Sequence, residues 1–312
     1  MQIGVNYLLE TRELFEEGKI DFLDYFKLYS LNENLDGLEW CYNHKWLMFH
    51  GAVGKTSSIG EADLMQTIDV AKTKEIIEQG KTPYFSAHIC TKNPEQTEEE
   101  TFKIIKNNIE FLKKSIGKDV VLENIPYRKK YHHCVYLMRP EVISKIVYEN
   151  DIGFLFDISH ARKAAQYLGM TLEEYVEKLP MDKAVEFHLA GMFDSPDISK
   201  EEIRKKYSER QIRFIKANEE LYGKRYDYHG KLTEEDYAFL EKYLPKYKDT
   251  LKYITLEYGS YNDRALFQDD EFVYPVANFE KVNPIIKDEV FTQLKRLKLI
   301  VDKINWLYKI GG

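Results

Sequence analysis

Nine histidines and carboxylates are the side chains of this chain best suited to chemistry, and most of them close a short apolar run. They are His50, His88, Glu123, Asp157, His160, His188, Asp227, His229 and Glu257. Imidazole and carboxylate groups are common protein ligands of zinc, iron and manganese. The set therefore predicts a metal centre, large enough to hold two or three ions.

The spacing of these residues indicates the fold. Successive run-ending residues from His50 to His188 lie 38, 35, 34 and 31 residues apart. A strand–helix unit of a (β/α)8 barrel takes roughly 30 residues, and that fold builds its active site at the carboxyl ends of its strands. We therefore predict an α/β protein, a (β/α)8 TIM barrel in which the six candidate ligands that end apolar runs converge on one end.

Short apolar or aromatic runs, separated by amphipathic segments, are typical of parallel strands covered by helices. The predicted strands are residues 3–7, 37–42, 46–50, 83–88, 119–123, 152–157, 184–188 and 253–257. The predicted helices are residues 61–79, 98–114, 140–150, 171–178, 233–243 and 288–308. Thr97, with Glu100 three residues later, predicts a capping box at the second helix. Since no domain boundary is evident, residues 1–312 are predicted to form a single domain.

Two stretches are longer than the plain repeat. The step from His188 to Glu257 is 69 residues and contains Asp227 and His229, which predicts a long insertion after strand 7. Residues 259–283 predict an extended loop after strand 8, at the end of the barrel that carries the ligands.

Composition and charge exclude several classes of protein. The chain has 312 residues and a net charge of −7, and it lacks the basic footprint of a nucleic-acid-binding protein. No apolar run approaches the roughly 18 residues that a membrane span needs, and the first residues lack the pattern of a signal peptide. Three cysteines without a CxxC pair argue against a disulfide framework and for a cytoplasmic protein.

Other polar residues near these runs are given different roles. His132 and His133 precede Cys134 in a polar loop and are predicted to be surface residues. His44 precedes a strand, on the wrong side of the barrel for the metal centre, and is predicted to be structural. Glu39, in the predicted second strand, is compatible both with a partner of the metal ligands and with a structural role.

Short motifs surround the candidate ligands. They are His50-Gly51-Ala52-Val53-Gly54, Leu122-Glu123-Asn124, His188-Leu189-Ala190-Gly191 and Asp227-Tyr228-His229-Gly230. In this order they resemble the motifs of the multinuclear non-heme iron-dependent oxidases, and His188-Leu189-Ala190-Gly191 is the most specific of them. That family belongs to the xylose-isomerase-like TIM-barrel superfamily, which also contains the endonuclease-IV-type apurinic endonucleases. The resemblance implies a xylose-isomerase-like barrel.

The chain departs from those oxidases at two positions. Ala87 stands where the oxidases have an acidic residue, and His160 stands where they commonly have asparagine. His160 brings the set closer to the three-metal arrangement of the endonucleases. The small, polar segment 51–60 and the acidic net charge nevertheless lack the features by which those endonucleases grip DNA.

The resemblance also implies an activity. It implies an oxidase or oxygenase with two or three iron ions, or alternatively zinc or manganese, that modifies a cysteine or another residue of a ribosomally made precursor peptide. Such enzymes often need a partner protein that presents the peptide. The implied ligand groups are His50, His88 and Glu123; Asp157, His188 and Glu257, bridged by Glu123; and His160, Asp227 and His229.

Other functions stay open at this point. A cluster of metals could instead hydrolyse phosphodiesters, as in the endonucleases, or serve a sugar isomerase or epimerase. A non-enzymatic scaffold is disfavoured, because clustered carboxylates repel one another unless a metal offsets their charge.

Overall fold

The computed structural model describes residues 1–29, 35–54, 58–258 and 282–311 of the chain. The strands are β1 (Gln2–Asn6), β2 (Tyr25–Tyr29), β3 (Trp46–His50), β4 (Phe85–His88), β5 (Val120–Glu123), β6 (Gly153–Asp157), β7 (Ala184–Leu189), β8 (Gly191–Asp194), β9 (Arg225–Gly230) and β10 (Tyr253–Leu256). The helices are α1 (Leu9–Glu16), α2 (Leu35–His44), α3 (Leu64–Thr67), α4 (Val70–Gly80), α5 (Glu98–Ile116), α6 (Pro140–Glu149), α7 (Ile158–Leu168), α8 (Leu172–Val176), α9 (Glu201–Arg204), α10 (Glu209–Tyr222), α11 (Glu234–Tyr243) and α12 (Pro284–Gly311). Short 3-10 segments lie at Lys129–Met138, Met181–Lys183 and Leu244–Lys246.

Eight of these strands form one sheet in the order β3-β2-β1-β10-β7-β6-β5-β4, and every pair of neighbours in it is parallel. The two end strands also approach each other. The amide of Gly51, after β3, donates to the carbonyl of Ser86 in β4 at 2.9 Å. The amide of Phe49 donates to the hydroxyl of Thr82 at 3.1 Å. The sheet therefore curls into a nearly closed barrel, and the predicted α/β barrel architecture is confirmed.

The predicted second strand, residues 37–42, is wrong. Those residues belong to α2, and the second barrel strand is β2, Tyr25–Tyr29. A short apolar run fits a helix as well as a strand, so its pattern alone could not decide. Residues 25–29 do not read as a buried strand in the sequence because Lys27 lies at their centre, and a fully buried lysine is rare. Glu39 is exposed on α2, so a role as a partner of the metal ligands is also wrong.

The helices cover the outside of the barrel. At α5 the Thr97 hydroxyl accepts from the Glu100 amide at 3.3 Å, and the Glu100 carboxylate accepts from the Thr97 amide at 2.9 Å. This reciprocal pair is the predicted capping box, and it is confirmed. The predicted helix 61–79 is divided into α3 and α4, and α12 packs against α1. Of the helices described, none is long and apolar enough to cross a membrane.

The long insertion after the seventh barrel strand is confirmed. It contains α9, α10 and an antiparallel pair formed by β8 and β9, and β9 lies against α7. Gly191 begins this pair at a point of close approach, where an added Cβ would lie 2.0 Å from the carbonyl oxygen of Lys231. A side chain at position 191 therefore has no room. The extended loop predicted at 259–283 falls mostly on residues 259–281, which lie outside the described residues.

Candidate metal centre

Two layers of side chains fill the barrel near the carboxyl ends of its strands. Alternate residues of a strand point to the same face, so the residue two positions earlier lies one layer deeper. The upper layer, which we call the ligand layer, contains Tyr29, His50, His88, Glu123, Asp157, His188 and Glu257. The lower one, which we call the support layer, contains Lys27, Met48, Ser86, Val121, Leu155, Glu186 and Thr255.

Glu123 lies at the centre of the ligand layer. Its Oε2 is 3.3 Å from Nε2 of His50 and 3.5 Å from Nε2 of His88. Its Oε1 is 3.1 Å from Nδ1 of His160 and 3.5 Å from Nδ1 of His188. One buried carboxylate thus contacts four imidazoles, two with each of its oxygens.

A second group forms around His188. Its Nδ1 lies 2.7 Å from Oε1 of Glu257 and 3.9 Å from Oδ2 of Asp157. Burial opposes the charge of this imidazole, but the adjacent Glu257 carboxylate raises the pKa of His188 well above its usual value. This contact fixes the orientation of the His188 ring among the surrounding carboxylates.

Asp157 is oriented by the start of α7, whose first turn also carries His160. The Asp157 carboxylate caps the helix: its Oδ1 accepts from the His160 amide and from the Ser159 hydroxyl, each at 2.7 Å. Nδ1 of His160 donates to the carbonyl of Asn124 at 2.8 Å, and the Asn124 side chain pairs with the Asp157 backbone. The D-x-x-H spacing therefore places both side chains beside Glu123.

Three sets of ligand atoms are close enough to hold an ion, with the atoms of each set within 4.8 Å of one another. The sets are His50, His88 and Glu123; Glu123, Asp157 and His160; and Asp157, His188 and Glu257. Two of them have the membership that the sequence resemblance implies. His160 lies with Glu123 and Asp157, whereas the resemblance places it with Asp227 and His229.

His229 reaches the same region from the insertion. Its Nε2 lies 3.7 Å from Oε2 of Glu257, and its backbone has the left-handed φ of 51° that non-glycine residues seldom adopt. The side chain of Asp227 lies outside the described part of the chain. The predicted third group of His160, Asp227 and His229 therefore stays a prediction.

Two buried polar atoms show that the residues present suit a cation. Within the described structure, Nε2 of His50 and Oε2 of Glu123 make no hydrogen bond, although both are fully buried. A buried polar atom without a partner is rare in folded proteins. Burial also lowers the pKa of His50 well below its usual value, which keeps this imidazole neutral. The neutral ring is the form that binds metal.

The support layer holds polar residues that the sequence interpretation missed. Nζ of Lys27 lies 2.7 Å from Oε1 of Glu186 and also contacts Nε2 of His188. The Thr255 hydroxyl donates to the same Oε1, and the Tyr84 hydroxyl donates to Oε2 at 2.6 Å. Glu186 and Thr255 stand two residues before His188 and Glu257. Because alternate residues of a strand share a face, this spacing could have identified them from the sequence.

The sequence interpretation missed Tyr29 as well, because this residue ends β2, which was not predicted as a strand. Its hydroxyl donates to Oε1 of Glu257, and its ring lies edge-on to His50 at 5.6 Å between centroids. His44 instead stacks on Trp40 at the end of α2, with ring centroids 4.4 Å apart, which agrees with a structural role. His132 is exposed and His133 donates to the Thr91 carbonyl, away from both layers.

Comparison with known proteins identifies similar sequences. The family described as RiPP precursor modification enzyme MbnB/TglH/ChrH matches residues 10–233 of this chain. A UPF0276 protein of Acaryochloris marina is 23% identical over 149 residues, which make up 44% of this chain and 53% of that protein. The match thus spans about half the length of that curated relative.

Solved structures share the fold. A xylose isomerase domain containing protein from Salmonella typhimurium superposes with a TM-score of 0.55 at 9% identity, covering 96% of this chain and 97% of the other. A xylose isomerase domain protein from Planctomyces limnophilus gives a TM-score of 0.54 at 11% identity, covering 98% and 97%. At identities this low the similarity concerns the fold alone. The two superpositions confirm the predicted xylose-isomerase-like TIM barrel.

Proposed function

This chain belongs to the MbnB/TglH/ChrH family of RiPP precursor modification enzymes, and from that premise we propose that it is an iron-dependent oxidase or oxygenase acting on a precursor peptide. The target is a cysteine or another residue of a ribosomally made peptide. The observation that carries the metal centre is the position of Glu123, whose two oxygens face four imidazoles inside the barrel.

Three ligand sets would hold the ions. His50, His88 and Glu123 suit one ion, and Asp157, His188 and Glu257 suit a second. Glu123 would contribute to both, since its Oε2 contacts His50 and its Oε1 contacts His188. His160, with Glu123 and Asp157, offers a third position, while Asp227 and His229 stay candidate ligands for it. Zinc and manganese are the alternative metals for such a set of imidazoles and carboxylates.

Bound iron would supply the redox chemistry that oxidation by O2 requires. The chain itself supplies the shape of the site. The side chains of His88 and His229 are 30% and 35% exposed, whereas His50, Glu123 and His188 are almost fully buried. A peptide side chain would therefore approach between β4 and β9, and the deeper ligands would exclude water from the reacting groups. A partner protein that presents the peptide would dock at this opening.

Hydrolysis of phosphodiesters is the second candidate. It is favoured by His160, which completes a third ligand set beside Glu123 and Asp157. Metals placed in this way can activate a water molecule and stabilise a leaving oxygen. The net charge of −7 opposes this reading, because DNA binding draws on basic side chains.

Metal analysis tests the proposal directly. The protein is purified without oxygen, loaded with iron(II), and its metal content per chain is compared with that of His188→Ala and His50→Ala. We expect each variant to lose about one ion, since each removes a ligand from a different set. His132→Ala is the matched control, because that histidine is exposed outside both layers, and it should bind as much iron as the natural protein.

Two results would contradict the proposal. An unchanged metal content in His188→Ala would show that the central set is not a site. A protein that carries only zinc and cleaves DNA at abasic positions would favour the hydrolase. A supporting result is an O2-dependent mass change in a precursor peptide that requires iron and is absent in His188→Ala.

A further inference from the structure

Two of the three cysteines lie side by side, although 44 residues of sequence separate them. The Sγ atoms of Cys90 and Cys134 are 3.9 Å apart, and both side chains are buried. The third cysteine, Cys41, is buried in a different element, α2, which packs against β3 and α4. The fold therefore creates one close pair of thiols and leaves a third thiol as an internal reference.

The pair joins the segments that follow two neighbouring barrel strands. Cys90 comes two residues after His88, the last residue of β4, and its amide donates to the His88 carbonyl at 3.0 Å. Cys134 lies in the 3-10 segment after β5. The two segments also meet where Nε2 of His133 donates to the Thr91 carbonyl at 3.1 Å. These contacts hold the two thiols near each other.

Each thiol donates to a carbonyl of its own segment. Cys134 donates to Tyr131 at 3.1 Å, and Cys90 donates to Thr91 at 3.5 Å. A disulfide bond is about 2.0 Å long, so the sulfur atoms would have to approach by about 1.9 Å from their separation of 3.9 Å. Rotation of two cysteine side chains about their Cα–Cβ bonds covers a distance of this size, so the backbone can stay in place.

We infer that Cys90 and Cys134 form a redox-sensitive thiol pair, which peroxide converts into a disulfide within the folded protein. Disulfides that form and break in this way are typical of redox-sensing proteins, in contrast to the permanent disulfides of secreted domains. The inference goes beyond the proposed function, and it needs no metal ion.

The reaction takes two steps and needs hydrogen peroxide as the oxidant. One thiol first takes an oxygen atom from the peroxide and becomes a sulfenic acid, with release of one water molecule. The second sulfur then displaces the hydroxyl group of the sulfenic acid, which leaves as a second water molecule with the remaining thiol proton. The two sulfur atoms thereby lose two electrons, and the oxygen atoms of the peroxide gain them. An added dithiol reverses the change.

The cross-link would restrict the backbone next to a candidate ligand. Besides its bond to the His88 carbonyl, Cys90 accepts from the Gly60 amide at 2.9 Å. The Ile59 amide also donates to the His88 carbonyl, at 3.0 Å. A disulfide would tie this group of contacts to the segment after β5. Oxidation should therefore stiffen the surroundings of His88 without removing a ligand.

Peptide mapping of the unaltered, metal-free protein tests the inference. The reduced protein is treated with hydrogen peroxide, unfolded in the presence of an alkylating agent, and analysed by mass spectrometry. We expect the number of free thiols to fall from three to one, with a loss of about 2 Da and a cross-link between Cys90 and Cys134. Cys41 should stay reduced, and dithiothreitol should restore all three thiols.

Two matched variants separate the pair from general oxidation. Cys41→Ser should form the same disulfide. Cys90→Ser should instead gain about 32 Da at Cys134, because a sulfenic acid without a second thiol nearby is oxidised further to a sulfinic acid. If Cys90→Ser does not fold, the map of the unaltered protein decides alone.

Three results would overturn the inference. They are a cross-link that includes Cys41, a disulfide that forms only when urea unfolds the protein, and a Cys90→Ser protein that still loses about 2 Da. Hydrogen exchange tests the effect on the backbone: the amides of residues 89–92 and 129–138 should exchange more slowly in the oxidised protein. Equal exchange before and after oxidation would contradict the stiffening beside His88.

Discussion

The ligand layer and the support layer differ in how their polar groups are satisfied. In the ligand layer, Nε2 of His50 and Oε2 of Glu123 are buried and make no hydrogen bond within the described structure. One layer down, both oxygens of Glu186 are held by lysine, threonine and tyrosine groups. The comparison teaches that burial alone does not mark a site. The upper layer has buried groups that the proposed metal ions would satisfy, whereas in the lower layer the Lys27 ammonium supplies the positive charge.

The largest effect is expected from breaking the support layer. Lys27→Met leaves Glu186 as a buried charge without its counterion, so the free energy of unfolding should fall by about 3–5 kcal/mol. Urea unfolding of the metal-free protein measures this. The double variant with Glu186→Met should recover most of the loss. A single variant as stable as the natural protein would mean that the two layers do not differ as described.

An intermediate effect is expected from filling the ligand layer. Iron(II) at a single site, at a hundred times the dissociation constant of that site, should stabilise the fold by about 2.7 kcal/mol, because the unfolded chain does not assemble the ligands. Thermal unfolding with metal and with a chelator measures the shift. His50→Ala should reduce the shift and His132→Ala should not. A protein that melts at one temperature under both conditions would count against a metal-ready layer.

The smallest effect is expected from removing the hydrogen bond between Ser86 of the support layer and His50 of the ligand layer. Ser86→Ala removes the hydroxyl that holds Nδ1 of His50, and the loss of one such hydrogen bond is worth about 1 kcal/mol, or roughly fivefold in iron affinity. Ser144→Ala is a suitable control, because that hydroxyl binds a carbonyl on the outside of the barrel. An iron affinity unchanged by Ser86→Ala would mean that this hydroxyl does not help to hold the His50 ring.

The ligand layer was largely predictable from sequence, and the support layer was not. The strand-end residues can be recognised in the sequence because each follows an apolar run. A barrel brings the carboxyl ends of its strands together whatever the order of the strands. Lys27 and Glu186 are 159 residues apart, and neither follows a run. Only the order β2-β1-β10-β7 puts them across the interior from each other, and no local pattern reveals that order.

The same reasoning explains the errors in the predicted elements. Lys27 broke the apolar pattern of β2, so the strand was placed on residues 37–42, which form part of α2. As a result Glu39 becomes a candidate partner of the metal ligands, whereas it is Tyr29 that contacts Glu257. Lys27 is tolerated inside the barrel because Glu186 neutralises its charge, and this contact between distant strands is invisible in the local sequence.

The unequal exposure of the candidate ligands has a consequence for metal exchange. The side chains of Asp157, His188 and Glu257 are almost fully buried, whereas those of His88 and His229 are 30% and 35% exposed. An ion on the buried set would therefore be less accessible to solvent than an ion bound to His88. Chelators should therefore strip the centre in sequence, the shallow ion first, and a partly depleted preparation should be a uniform intermediate rather than a mixture.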